Sequence, residues 1–233
     1  MALILNIETA TPFLSLALSR DGQVVASRDF DTQNSHAEMI TILIGEIMQE
    51  SHTAFIDLDA VAVSKGPGSY TGLRIGVSTA KGICYAKNIP LIAVSTLQAM
   101  ALGMARGREQ ASEEVVFCPM IDARRMEVYD ALYNSKNKEI RTVKPTIVDE
   151  STYADLLQDQ VIVFGGNGAA KCKEVIKHNN AVFLENFNPS ATWMAPLAEK
   201  TFRDEAFEDV AYFEPFYLKA YIAGKSRVKG LYD

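Results

Sequence analysis

Short apolar runs separated by small and polar residues dominate the start of the chain. Leu3 to Ile7 reads as a buried strand and Phe13 to Leu18 as its return, so Glu8 to Pro12 is a turn led by an acid. Asp21-Gly22 turns the chain again before Gln23 to Phe30, giving a three-stranded meander. The period then lengthens from two to 3.6. Ser35 opens a helix to about Ser51, and Glu38 three residues on completes a capping box. Along it Ile40, Leu43, Ile44, Ile47 and Met48 make one apolar arc, with Met39 and Ile42 left outside. Asp59 to Ser64 is a further strand. It enters the loop Gly66-Pro67-Gly68-Ser69-Tyr70-Thr71-Gly72 and a helix reaching Lys87. Leu73, Val77, Ala80 and Cys84 form a face of that helix suited to a sheet, while Ile75, Thr79, Gly82 and Ala86 form a second face with little bulk. Leu91 to Val94 is a strand, and Ser95 or Thr96 caps a helix to about Met104.

The second half repeats this order. Val115 to Ile121 and Glu127 to Tyr133 flank a turn, Asp122-Ala123-Arg124-Arg125, again led by an acid. Asn134 to Lys138 turns the chain into another strand. A helix at Thr152 to Leu157 follows, then a strand at Val161 to Phe164, the loop Gly165-Gly166-Asn167-Gly168 and a helix at Ala169 to His178. Residue identity between the halves is slight, so the repeat rests on element order. It predicts an α/β fold, a duplicated unit with a mixed sheet in each lobe. The expected lobes are 1–105 and 106–233, joined through the polar stretch Arg106 to Glu114. The last stretch of about 35 residues, with a helix from Met194 to Arg203, could pack back on the first lobe.

A length of 233 residues suits one large or two apposed lobes, and 48% hydrophobic with 22% charged residues gives an ordinary globular core. The net charge of −6 argues against nucleic acid held by this chain alone. Three scattered cysteines, Cys84, Cys118 and Cys172, build neither a disulfide framework nor a metal knuckle. No apolar run is long enough to span a membrane and the N-terminus lacks a signal-peptide pattern, so a cytoplasmic location is expected.

Glycines at 66, 68 and 72 ahead of a helix N-terminus could cradle phosphate or simply allow a tight strand-to-helix turn, and the residues alone leave both open. The loop is neither a Walker A motif nor a dinucleotide fingerprint. Glu8, Thr9, Gly66, Gly68, Ser69, Gly72 and Asp122 are the candidate nucleotide or phosphate positions. Glu8 and Asp122 lead hairpin loops equivalent to those at which actin-like ATPases hold magnesium through water. Ala10 and Arg124 stand where such loops carry glycine, so magnesium nucleotide binding by this chain alone is not expected. His36, His52 and His178 are too scattered for a metal site, and Ser15 and Ser69 have no visible triad partners. Trp193 and the aromatics Tyr212, Phe213, Phe216 and Tyr217 read as packing rather than base stacking.

The run Val63 to Met100, with Ile4 to Leu18 and Ser35 to Met39, resembles the TsaB (YeaZ) family closely. Asp122 to Arg125, Glu127 to Tyr129 and the late Pro215, Tyr217 and Leu218 also fit it. The resemblance implies an actin-like two-lobe fold (the ASKHA, ribonuclease H-like class). It further implies a non-catalytic role in forming N6-threonylcarbamoyladenosine (t6A) at position 37 of tRNAs reading codons that begin with A. There the paralogue TsaD performs the transfer, assisted by TsaB and the ATPase TsaE. TsaD-like chains carry a His-x-x-x-His metal motif, which falls here on Thr96 and Met100, so no catalytic residue, metal or cofactor is expected. The partner face is expected at Met39, Ile42 and Leu43 on the first helix and at Leu73, Arg74, Ile75, Ser78, Thr79 and Gly82 on the second. Those residues would meet TsaD in a heterodimer, within a ternary complex with TsaE, or a second copy when the chain is alone. Contact with tRNA would be indirect, and the basic tail of Lys225, Arg227 and Lys229 could touch it within the assembly. The alternative from another class is a magnesium-ATP-dependent small-molecule kinase using Glu8 and Asp122.

Overall fold

The computed structural model of the chain describes residues 2–31, 35–106 and 115–219. Its apolar runs pair into two five-stranded sheets. In the first, β1 (Leu3–Glu8), β2 (Phe13–Arg20), β3 (Gln23–Asp31), β4 (Ala60–Ser64) and β5 (Leu91–Val94) take the order β3-β2-β1-β4-β5. In the second, β6 (Val115–Asp122), β7 (Glu127–Tyr133), β8 (Glu139–Ile147), β9 (Val161–Gly165) and β10 (Ala181–Phe183) take β10-β9-β6-β7-β8, which is the same order read from the opposite edge. The meanders pair antiparallel and the remaining strands parallel in both sheets. Glu8 pairs with Ser15 and Asp122 with Val128, so each acid stands at the carboxyl end of the central strand of its sheet.

The helices are α1 (His36–Glu50), α2 (Tyr70–Lys87), α3 (Thr96–Ala105), α4 (Ala154–Asp159), α5 (Ala169–Cys172) and α6 (Ala191–Arg203). On α1 the buried set is His36 plus Ile40, Leu43, Ile44, Ile47 and Met48, the arc that the 3.6 period marks out. Together with Val77, Ala80 and Cys84 of α2 they form one core with the outer face of the first sheet. The other face of that sheet packs on Ala191, Met194 and Ala198 of α6. On the second sheet, Leu97, Met100, Ala101 and Met104 of α3 meet Phe117, Ile121 and Val163, and α4 and α5 cover its far side. The layers therefore run helix, sheet, helix, sheet, helix. Fully burying each large apolar side chain contributes roughly 1.5–3 kcal/mol, so α3, apolar almost all round, is held by the layer rather than by its own propensity.

Several elements differ from the sequence reading, α6 among them, which starts at Ala191 rather than Met194 because Ser190 caps it, its hydroxyl accepting from Thr192 N–H at 3.2 Å. β10 was not expected, and its three residues complete the match with β5. α5 ends at Cys172 instead of His178, because Val175 N–H turns back to the Cys172 carbonyl three residues before it, closing the helix in a tight turn. α4 starts at Ala154 since Thr152 is used in a turn with Asp149, its hydroxyl donating to the Asp149 carboxylate at 2.7 Å. Ser35 is the N-cap of α1, but the capping box with Glu38 does not form there. Most of the polar stretch expected to join the lobes, 107–114, lies outside the described residues, as does the basic tail of Lys225, Arg227 and Lys229.

After α6 the chain returns along the first sheet without regular structure. Glu208 N–H donates to the Leu91 carbonyl at 2.9 Å on the edge strand β5. Lys81 Nζ on α2 donates to the carbonyls of Ala211 and Phe213, both at 3.0 Å. Phe216 N–H then donates to the Lys65 carbonyl at 2.7 Å, Tyr217 lies 5.0 Å from the Tyr70 ring, and Lys219 pairs with Glu127 of β7. This segment covers an exposed sheet edge and reaches both sheets. Tyr212 departs from the expected packing role, with 84% of its surface exposed.

Candidate functional site

The two acid-led loops and the glycine loop meet at the carboxyl ends of the central strands, the usual ligand position in α/β folds. Ser69 is the N-cap of α2, its hydroxyl accepting from Gly72 N–H at 3.2 Å. Its own N–H donates at 2.6 Å to the carbonyl of Ala10, in the first acidic loop. A Cβ at Gly68 would overlap that carbonyl, and one at Gly72 would overlap the carbonyl of Thr9. These glycines are needed because the acidic loop lies against the helix start. The amide of Ser69, which a phosphate loop would offer to its ligand, is taken by the chain itself.

Glu8 lies under this contact, 1% exposed. Its Oε1 accepts from Ala10 N–H at 2.7 Å, while Oε2 has no partner among the described residues. Burial pushes its pKa from the ordinary 4.5 up to about 7, opposed by hydrogen bonds from Ala10, Ser64 and Thr9. Thr9 N–H reaches Ser64 Oγ at 3.3 Å, and Thr9 Oγ1 is buried against the backbone of α2 at Gly76. His36, at the start of α1, places Nε2 2.9 Å from the Thr11 carbonyl, and burial lowers its pKa.

The second loop is open. Asp122 is exposed and pairs with Lys171 on α5, while its Oδ1 also accepts from Arg124 N–H at 3.0 Å. Its own N–H donates to Asn167 Oδ1 at 3.0 Å. Arg124 and Arg125 occupy the turn with φ of 72° and 50°, a left-handed conformation unusual for side chains of this size. Between the loops lies a cleft of about 490 Å³ lined by Thr11, Ser69, Asp122, Arg124, Tyr217 and Lys219 among others. Sequence reasoning missed Ser64, Asn167, Lys171 and Lys219. Asn167, inside the glycine loop that mirrors Gly66 to Gly72, carried the one local signal.

Magnesium nucleotide does not fit these residues. The Ala10 carbonyl holds the helix amide, Glu8 is shut away from the cleft, and Asp122 is already paired with Lys171. Thr96 and Met100 are both fully buried at α3. Among the described residues no three His, Cys, Asp or Glu side chains are grouped so as to hold a metal ion, and no helix is long and apolar enough to cross a membrane.

A second candidate surface lies outside, on α1 and α2. Ile42 is 53% exposed, Met39, Ile75 and Thr79 are half-buried, and Arg74, Ser78 and Gly82 are exposed. A groove of about 480 Å³ runs between the helices past Thr41, Tyr70, Arg74, Ile75 and Ser78. Arg74 is fixed across its mouth by a 3.0 Å hydrogen bond to the Tyr70 hydroxyl. A Cβ at Gly82 would meet nothing within 4 Å among the described residues. Leu43 and Leu73 do not belong to this surface. They are 5% and 0% exposed, because both lie on the sheet-facing side of their helices.

The two repeated sheets, their shared strand order and the paired loops define an actin-like two-lobe protein. A family model described as "TsaD: tRNA N6-adenosine threonylcarbamoyltransferase" matches residues 26–225. The tRNA threonylcarbamoyladenosine biosynthesis protein TsaB of Escherichia coli is 34% identical over 231 residues, 95% of this chain and 96% of that protein. The protein of the same description from Bacillus subtilis is 34% identical over 180 residues, 75% of each chain. The solved structure of YeaZ from Pseudomonas aeruginosa superposes with a TM-score of 0.75 at 25% identity, covering 94% of this chain and all of that one (100%). The chain belongs to the TsaB (YeaZ) family, within the wider group that the TsaD model describes.

Proposed function

We propose that this chain acts in the formation of N6-threonylcarbamoyladenosine at position 37 of tRNAs as a non-catalytic subunit. It supports TsaD by docking through α1 and α2. The observation that carries the reading is the outer face of these two helices. Ile42 is exposed beside a groove, and a flat stripe at Ser78, Thr79 and Gly82 allows another helix to approach closely. The family membership supports the pathway, since relatives matching most of the chain are described as t6A biosynthesis proteins. The closed first loop supports a supporting role over catalysis, and the kinase alternative loses ground on Glu8 and Asp122 as described above. TsaE joins this pair in a ternary complex, the same face makes a homodimer when TsaD is absent, tRNA is met through the assembly, and the setting is the cytoplasm.

The test is reconstitution of tRNA modification with and without this chain, followed by Gly82→Leu. Because no described residue lies within 4 Å of that Cβ, the variant folds, with a thermal midpoint no lower than that of the wild type. Co-purification with TsaD and modification of tRNA fall together by tenfold or more, as expected when a bulky group enters a well-packed interface core at a cost of about 1.4 kcal/mol or more. Undiminished co-purification of the folded variant overturns the docking face. Full modification in the absence of the chain overturns the role.

A further inference from the structure

We propose that a second crevice, where the glycine loop meets the second sheet, binds a small zwitterion of the free α-amino-acid class between Lys65 and Glu139. This crevice of about 390 Å³ is separate from the cleft at the acidic loops, with Pro67 and Phe216 lining both and standing between them. Its other walls are Lys65 at the exit of β4, Ser95 and Gln98 at the start of α3, and Tyr133 and Glu139 of the second sheet.

The lining holds one residue of each charge, and the two do not pair with each other. Tyr133 and Glu139 face each other in the β7–β8 register. Tyr133 is buried, and burial pushes its pKa up to about 12, so its hydroxyl stays a donor on the strand pair that carries Glu139. On the first sheet the main chain of Lys65 is anchored on both sides. Its N–H donates to the Val94 carbonyl at 2.9 Å, and its carbonyl accepts from Phe216 N–H at 2.7 Å. Its ammonium makes no hydrogen bond or ion pair among the described residues, Glu139 included.

A ligand of single charge answers one of these residues and leaves the other unanswered. A carboxylate and an ammonium on one small molecule answer both. The volume lies at the low end of the range of about 300–1,000 Å³ found for small-molecule sites, which suits an amino acid and leaves little room for a nucleotide. Phe216 and Val143 offer an apolar wall to its side chain. Because the walls come from both sheets and from the C-terminal segment, occupancy would tie the lobes together.

The experiment is saturation-transfer NMR and calorimetry on the full chain with the standard L-amino acids. Their N-acetyl and carboxamide derivatives serve as single-charge controls. At least one amino acid binds, and both of its derivatives bind at least roughly tenfold more weakly, the loss of a charged hydrogen bond. Lys65→Met and Glu139→Gln each lose at least the same factor with unchanged thermal midpoints. The absence of any amino acid binding at millimolar concentration overturns the proposal. So does equal binding of either derivative, or binding that survives in either folded variant.

Discussion

In the first lobe the acid leading the hairpin loop, Glu8, is sealed beneath the glycine loop with one oxygen unpartnered. In the second its counterpart, Asp122, lies at the surface beside Lys171, on a turn whose two arginines are left-handed. The strand order is the same, and the pattern of hydrogen bonding is the same too, each carboxylate accepting the N–H two residues on. The difference is what reaches back. In the first lobe Ser69 N–H binds the loop carbonyl of Ala10, whereas in the second Gly168 N–H binds the carbonyl of Met120, before the acid. A duplicated framework thus holds one loop shut and leaves its twin exposed, and only the shut loop has lost its access to a ligand.

The largest effect should come from opening the shut loop. Gly68→Val drives a side chain into the Ala10 carbonyl, and backbone cannot turn aside as a flexible side chain can. A loss of more than about 4 kcal/mol, or failure to fold, is expected, beyond the 1–3 kcal/mol usual for overpacking. The counterpart, Gly168→Ala, meets the Ile121 carbonyl carbon at 2.9 Å and the Asp122 nitrogen at 3.0 Å, a milder collision that should cost less. On α2, which begins just after Gly68, Gly82→Ala has open space among the described residues and should stabilise by about 0.5–1 kcal/mol through helix propensity. Urea unfolding of the three variants checks the order, and a tolerated Gly68→Val would show that the first loop is not held as described.

The lobes also differ in how they hold a buried acid. Asp130 in the second is fully buried with Arg141, the Tyr153 hydroxyl at 2.8 Å and the Thr146 hydroxyl at 2.5 Å. Glu8 has no cation paired with it among the described residues. Asp130→Ala strands Arg141, and since that side chain is 24% exposed, water recovers part of the loss. A destabilisation of about 3 kcal/mol is expected, the low end for a broken buried pair. Denaturant unfolding measures it, and a change under about 1 kcal/mol would mean that the network contributes little.

Much of this contrast was not legible in the chain. Period alone picked out the buried arc of α1 and the sheet face of α2, since those positions are dictated by geometry within one helix. It also placed Leu73 on that sheet face, and the separate expectation of Leu73 as a partner contact fails for the same reason. The acidic lead residues were visible too. Their opposite fates were not, because the burial of Glu8 depends on Ser64 and Ser69, more than fifty residues on, while the pairing of Asp122 depends on Lys171, 49 residues on. β10 escaped because three residues show no period, and the end of α5 because turn bonds rather than a proline or glycine stop it.

The Glu8 environment predicts a pH signature. Its folded pKa, about 7, lies above the ordinary 4.5, so between those values the native state holds more protons than the unfolded one. Stability therefore falls as pH rises through that window, by about 3 kcal/mol in all. His36 acts in the opposite sense, because a lowered histidine pKa makes stability rise with pH. Taking the difference between the wild type and Glu8→Gln cancels the His36 contribution. The variant should gain on the wild type steadily from about pH 5 to pH 8. A difference that stays flat with pH would mean that Glu8 is ionised in the folded protein throughout.

The smallest effect belongs to the open loop. Lys171 is 23% exposed and its partner Asp122 44%, so water screens the pair, and Lys171→Met should cost only about 0.5–1 kcal/mol. The loss should shrink in molar salt, where screening acts within a few ångströms. Lys171 Nζ also donates to the Glu127 carbonyl at 2.6 Å, a contact salt does not remove. A salt-insensitive remainder therefore measures that hydrogen bond, and the salt-sensitive part measures Asp122. If the whole loss proved insensitive to salt, Asp122 would be held by Asn167 and the turn rather than by charge, and the two acidic loops would differ less in electrostatics than in burial.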